Sequence, residues 1–134
     1  MNRVTCISGL TKEGKTKELI LDYLGATALD GINAVFISCE DNLEYIQDLI
    51  VSVGGFDSSN VEFDKYKLKF VTDASELKDT ISDYANEHDC VFFIDSPETA
   101  DTKFDANDYV DNYPNPKCDS NIDITYTRLR KHVR

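Results

Sequence analysis

The 134 residues include 25 Asp and Glu against 14 Lys and Arg, a formal net charge of −11 at pH 7, with 41% hydrophobic residues. That composition fits a soluble globular chain of one domain, long enough to bury a core. The charge argues against a generally basic nucleic-acid surface, and no apolar run approaches the roughly 20 residues of a membrane span.

The chain enters a strand, Val4-Thr5-Cys6-Ile7-Ser8, almost at once, so no signal peptide is expected. A helix is predicted over residues 14–29, with Leu19, Ile20, Tyr23 and Leu24 on one face and Asp30-Gly31 as its stop. Asn33-Ala34-Val35-Phe36-Ile37-Ser38-Cys39 is a nearly continuous apolar run, suited to a buried parallel strand, and it ends in Glu40-Asp41. Leu43, Ile46, Leu49, Ile50 and Val53 then recur at helical spacing until Gly54-Gly55. Residues 56–65 read as a loop.

Tyr66-Lys67-Leu68-Lys69-Phe70-Val71 alternates as a strand does. Either Asp73 or Ser75 caps a third helix carrying Leu77, Ile81, Tyr84 and Ala85. It leads into Cys90-Val91-Phe92-Phe93-Ile94-Asp95, the most apolar run in the chain. Strands alternating with helices predict an α/β fold with a mainly parallel sheet. From residue 98 to about 121 the chain is acidic and irregular, with Pro114 and Pro116 excluding one long helix and a short helix expected through residues 104–110. Order returns at Ile122-Asp123-Ile124-Thr125-Tyr126-Thr127, before the basic end Arg128-Leu129-Arg130-Lys131-His132-Val133-Arg134.

The four cysteines (Cys6, Cys39, Cys90 and Cys118) form no C-x-x-C pair, and three lie in predicted strands, where a thiol acts as a small buried hydrophobe. A reducing, cytoplasmic setting is expected. His88, at the end of the third helix, and His132, in the basic tail, lack any pattern for metal binding or nucleophilic catalysis. Tyr109 and Tyr113, among acidic residues, read as parts of a solvated loop rather than a recognition surface.

The chemistry concentrates in Gly9-Leu10-Thr11-Lys12-Glu13-Gly14-Lys15-Thr16, a complete G-x-x-x-x-G-K-[ST] phosphate-binding loop between a strand and a helix. In such a loop, backbone N–H groups and the helix N-terminus converge on phosphate. Gly9 and Gly14 admit close backbone approach. Lys15 is expected to reach the β- and γ-phosphates and Thr16 to sit on Mg²⁺, with Lys17 completing the nucleotide-binding set. Asp95 closes a buried strand at the sheet edge where open α/β sheets bind ligands, and is the candidate Mg²⁺ carboxylate. Glu40 closes another strand and is the candidate base toward the water that attacks the γ-phosphate; Asp41 is its rival, or the cap of the next helix.

Residues 9–16, the strand ending in Glu40, the segment Lys69-Phe70-Val71-Thr72-Asp73 and the strand ending in Asp95 together resemble the RecA-like ATPase domain of DnaB-type replicative helicases. The resemblance spans about residues 3–97. It implies a three-layer RecA-like phosphate-loop fold, ATP and Mg²⁺ as ligands, Glu40 as catalytic base and Asp95 as the Mg²⁺ residue. It also likens the end of the chain to a Lys-x-Arg element, with Arg128 in place of the Lys and Arg130 as an arginine finger reaching a neighbouring subunit; a solvated basic tail is the plainer reading. The family continues with a strand bearing a polar γ-phosphate sensor, DNA-binding loops and further strands, whereas here an acidic segment and one strand follow. The expectation is therefore a minimal, slow ATPase, as a homo-oligomer or docked on another ATPase. Its rival is a non-motor interaction protein that keeps the fold to regulate a replication or recombination ATPase. A small-molecule kinase is a weaker reading, since residues 98–120 would form its lid and offer only Lys103 and Lys117.

Overall fold

The structure, a computed structural model, describes residues 3–9, 12–28, 33–57, 59, 61–63, 66–85, 90–112 and 122–129. Its strands are β1 (Arg3–Gly9), β2 (Asn33–Ser38), β3 (Lys67–Phe70), β4 (Cys90–Asp95) and β5 (Ile122–Leu129). They form one sheet in the order β1-β5-β4-β2-β3, and every neighbouring pair is parallel. The helices are α1 (Lys12–Thr27), α2 (Leu43–Gly54), α3 (Ala74–Ala85), α4 (Pro97–Ala100) and α5 (Ala106–Asn112).

Side chains alternate across a strand, so the central strands must bury both faces. Val35 and Ile37 of β2, Phe92 and Ile94 of β4 and Ile122 and Ile124 of β5 pack with Leu77, Ile81 and Ala85 of α3 and with Ala106 and Val110 of α5. On the other face, Ala34, Phe36 and Phe93 pack with Leu19, Ile20 and Tyr23 of α1 and with Ile46 and Ile50 of α2. Tyr23 sits at the middle of this second layer, its ring edge-on to Phe36 at 5.5 Å and to Phe93 at 5.7 Å. Helices therefore cover both faces of the parallel sheet, as the alternation of elements predicts.

Local signals set the ends of the elements. Asn42 caps α2, its side-chain oxygen accepting from the Tyr45 N–H at 2.9 Å, which removes the cap from Asp41. Gly55 closes that helix at φ 67°, a left-handed conformation that a residue without a Cβ adopts readily, and its N–H returns to the Val51 carbonyl. Of the two candidates before α3, Asp73 is the cap, accepting from the Glu76 N–H at 2.8 Å. Helix α1 begins at Lys12, two residues before the expected start, because Lys12 and Glu13 are good helix formers. Its stop signal at Asp30-Gly31 lies outside the described residues.

Two expectations are corrected. Cys6 is exposed, because β1 is an edge strand, whereas Cys39 and Cys90 are buried. The segment after Asp95 is also more ordered than its composition suggests. Ala106 and Val110 of α5 are buried against the sheet, and Phe104 stacks between Tyr109 and Tyr126 at 5.7 and 5.4 Å. Tyr109 is therefore half-buried rather than part of a solvated loop, and Pro97, Ala106 and Val110 anchor this segment in the core. Tyr113, Cys118, His88 and His132 lie outside the described residues.

Candidate functional site at the C-terminal edge of the sheet

Because the sheet is all parallel, β1, β2, β4 and β5 all end at one edge. There the chain leaves β1 for α1 and β2 for α2 on one face, and β4 for α4 and α5 on the other. Such a divergence opens the crevice in which α/β sheets bind ligands. Among the described residues, Thr16 and Asp95 meet at this edge, and β2 ends there just before Glu40.

Gly9 ends β1, and the first turn of α1 begins at Lys12. The first N–H groups of any helix lack intrahelical partners, so those of the α1 first turn are anion-seeking donors. Gly14 is exposed within this turn. Lys15, expected to reach the phosphates, is only 7% exposed. Thr16 is 2% exposed and faces the sheet, and Lys17 is half-buried. Leu10, Thr11 and Arg130 lie outside the described residues, and of Gly9, Lys12 and Glu13 only the backbone is described.

The decisive contact crosses from α1 to β4. The Thr16 hydroxyl donates to the Asp95 carboxylate, at 3.2 Å to Oδ1 and 3.3 Å to Oδ2. Strand β5 separates β1 from β4, so the two chain segments are about 10 Å apart at the sheet, and only a side chain reaching over β5 joins them. Asp95 is 1% exposed. A carboxylate so deeply buried needs donors aimed at it. One of them sequence reasoning did not single out: Thr127 Oγ1, 1% exposed at the end of β5, donates to Asp95 Oδ1 at 2.8 Å. The same oxygen accepts the Ser96 N–H at 2.8 Å. The available signal was Thr127 itself, a polar residue closing an otherwise β-rich run, but its neighbour across the sheet cannot be read from the sequence.

On the other side of β4, Ser38 is fully buried and is the register partner of Asp95. Its Oγ donates to the Asp41 carbonyl at 2.5 Å and accepts the Asp41 N–H at 3.1 Å. This tight turn carries Glu40 out to the surface, where it is exposed. The Cys39 N–H meanwhile bonds the Asp95 carbonyl at 3.1 Å, tying the two strand ends together. Burial, and then the charges of Asp95, Glu98 and Glu76, push the Cys39 thiol up to about 12, so it stays a neutral packing group.

The donor set fits Mg²⁺. A hydroxyl and a carboxylate are hard oxygen ligands, and Mg²⁺ usually takes one or two carboxylates together with substrate phosphates. No cluster of three or more His, Cys, Asp or Glu suited to a metal occurs among the described residues, so phosphate oxygens and water would have to supply the remaining ligands. A separate cavity of about 450 Å³, lined by Lys78, Asp101, Lys103 and Tyr109 among others, contains none of these residues.

Among the described residues no helix is long and apolar enough to cross a membrane. Comparisons with protein-family models, with curated proteins and with solved structures find no match for this chain.

Proposed function

We propose that this chain binds ATP with Mg²⁺ and hydrolyses it slowly, as a minimal relative of the RecA-like phosphate-loop ATPases. The observation that carries the reading is the buried contact between Thr16 and Asp95, which joins the end of the phosphate-loop motif to the strand-ending carboxylate 79 residues away. An ordinary glycine turn between a strand and a helix has no need of that partner. The five-stranded parallel order is compatible with a RecA-like or Rossmann-like layout.

In this reading the first turn of α1 and Lys15 hold the β- and γ-phosphates, and Thr16 and Asp95 hold Mg²⁺. Bound Mg²⁺ would neutralise charge that builds on the phosphate oxygens. Glu40, one strand over from Asp95, orients the attacking water and accepts its proton. Slow turnover is expected without a correctly placed arginine, since such residues contribute on the order of 10³–10⁵ in rate. With a net charge of −11, the chain by itself is not expected to hold DNA at physiological salt.

The test is calorimetric titration of ATP with and without Mg²⁺, followed by phosphate release. Binding that requires Mg²⁺ is expected; no binding at millimolar nucleotide overturns the reading. One observation favours the second reading, a docking module. The outer edge of β1 is unpaired within the described sheet, with Thr5, Cys6 and Ser8 exposed and no charged residue from Val4 to Ser8. An edge like that is a template for another chain. A protein that binds no nucleotide yet adds a strand from a partner ATPase would fit this second reading.

A further inference from the structure

We propose that Thr127 is a positioning residue for the cation site: its hydroxyl fixes the orientation in which the Asp95 carboxylate meets Mg²⁺. The inference rests on the nucleotide reading above and adds to it a residue outside the phosphate-loop motif.

A threonine hydroxyl has one proton to give. In Thr127 that proton goes to Asp95 Oδ1 at 2.8 Å, while a lone pair receives the Ser96 N–H at 2.8 Å. One buried oxygen thus holds two consecutive residues, the carboxylate and the backbone just after it. The contact is also tighter than the one from Thr16, whose 3.2 and 3.3 Å distances lie beyond the usual range for an O–H···O bond. Of these two hydroxyls, Thr127 holds Asp95 by the shorter bond, and it supplies the fixed end of the site.

The backbone supports the same conclusion. Ser96 has φ 54°, the one positive φ of a non-glycine residue among the described residues. Such a conformation persists only where its surroundings over-determine it. Here the Thr127 hydroxyl grips the Ser96 N–H from one side, and Pro97 starts α4 on the other. The bend turns the chain away from the sheet directly after Asp95, so the carboxylate stays at the edge while the backbone departs. The last Asp torsion is intrinsically soft. Without the Thr127 donor, Oδ1 would lose its 2.8 Å hydrogen bond and the bend after it a tether.

The metal's outer partners typically contribute 10- to 100-fold in affinity. In Thr127→Val the shape is kept and the hydroxyl removed. At fixed nucleotide, the Mg²⁺ concentration for half-saturation should rise about 10-fold or more, read by calorimetry or a fluorescent ATP analogue without reference to turnover. Nucleotide binding in the absence of Mg²⁺ should stay within about threefold of wild type. Thr127→Ser, which restores the hydroxyl, should return the Mg²⁺ dependence to near the wild-type value. Should the Val protein fail to fold, Thr127→Ala and Thr127→Ser isolate the hydroxyl between them. A merely structural threonine would lower the melting temperature and leave the Mg²⁺ midpoint unmoved; that result, or Ala behaving as Ser does, overturns the proposal. Wild type showing no Mg²⁺-dependent nucleotide binding would overturn this proposal together with the function it rests on, an outcome distinct from an unmoved midpoint.

Discussion

Ser38 and Asp95 are register partners at the ends of β2 and β4, so the two strands deliver their last side chains to the same stretch of edge. Ser38 turns the chain back on itself through its bonds to Asp41. Glu40 is thereby left exposed, one strand from the carboxylate proposed for Mg²⁺. A base in that position should be separable from binding. Glu40→Gln is expected to keep Mg-ATP affinity within about threefold while turnover falls by roughly 10²–10⁴. Because the residue is exposed, stability should move by no more than about 0.5 kcal/mol. Single-turnover phosphate release, with calorimetry alongside, checks this. Equal turnover in the variant would remove Glu40 from the reaction.

Lys15 calls for a different kind of test, because it is 7% exposed rather than a free surface charge. Its removal affects packing as well as phosphate binding. Lys15→Ala should abolish measurable Mg-ATP binding, and Lys15→Arg should also bind poorly, since a planar fork does not replace a compact ammonium. Thermal unfolding of both variants separates the two effects. Near-native melting with lost binding supports the phosphate role, and near-native binding would reduce the loop to a plain turn.

The strands and helices were legible because each carries its own periodicity. Phe36 and Ile37 announce a strand buried on both faces, and Leu77 and Ile81 announce a helix whether or not anything else is known. Pairing is less legible. Nothing in Ile122-Asp123-Ile124-Thr125-Tyr126-Thr127 says that it inserts between β1 and β4, because in-register partners lie more than 30 residues away in sequence. For that reason Asp95 could be named as a candidate and Thr127 could not. Burial on the edge strand was misjudged for a related reason: Cys6 has an apolar neighbourhood in sequence but lies on β1, at the edge of the sheet. A short helix was expected through residues 104–110, two residues before the observed α5, but its place in the core depended on Phe104, Tyr109 and Tyr126 meeting, which sequence spacing does not reveal.

The buried thiol of Cys39 predicts a pH dependence with a definite sign. Its pKa is raised to about 12 from an ordinary 9.0, first by burial and then by the charges of Asp95, Glu98 and Glu76. A thiol neutral in the folded state and ionisable in the unfolded one costs no stability below that ordinary value. Above it the unfolded chain sheds a proton that the folded chain keeps, so stability falls as pH rises toward the folded value. Denaturant midpoints between pH 7 and about 9.5, below the usual tyrosine range, should decline in the wild type and decline less in Cys39→Ala. Parallel curves for the two proteins would show that Cys39 ionises as readily folded as unfolded.

The basic end of the chain gives the last prediction, and the sheet changes what should be expected of it. A finger at Arg130 was anticipated to act across a subunit boundary, where it would wait on a neighbour. Strand β5, however, lies beside the phosphate-loop strand of its own chain, with Ser8 paired to Arg128 and Gly9 paired to Leu129. Leu129 thus ends β5 beside Gly9, the last residue of the strand that precedes the phosphate-loop motif, and the prediction drawn from that register is that Arg130 acts within its own subunit. Arg130→Ala should lower turnover about 10-fold or more while leaving ATP affinity nearly unchanged, because such a group acts on charge that develops in the transition state. Activity per molecule should not depend on protein concentration. Mixing Arg130→Ala with Lys15→Ala should restore nothing, since no molecule in the mixture has both an intact loop and an intact arginine. Recovery of activity on mixing, or turnover rising with concentration, would instead place the arginine across an interface between copies and make assembly part of the catalytic site.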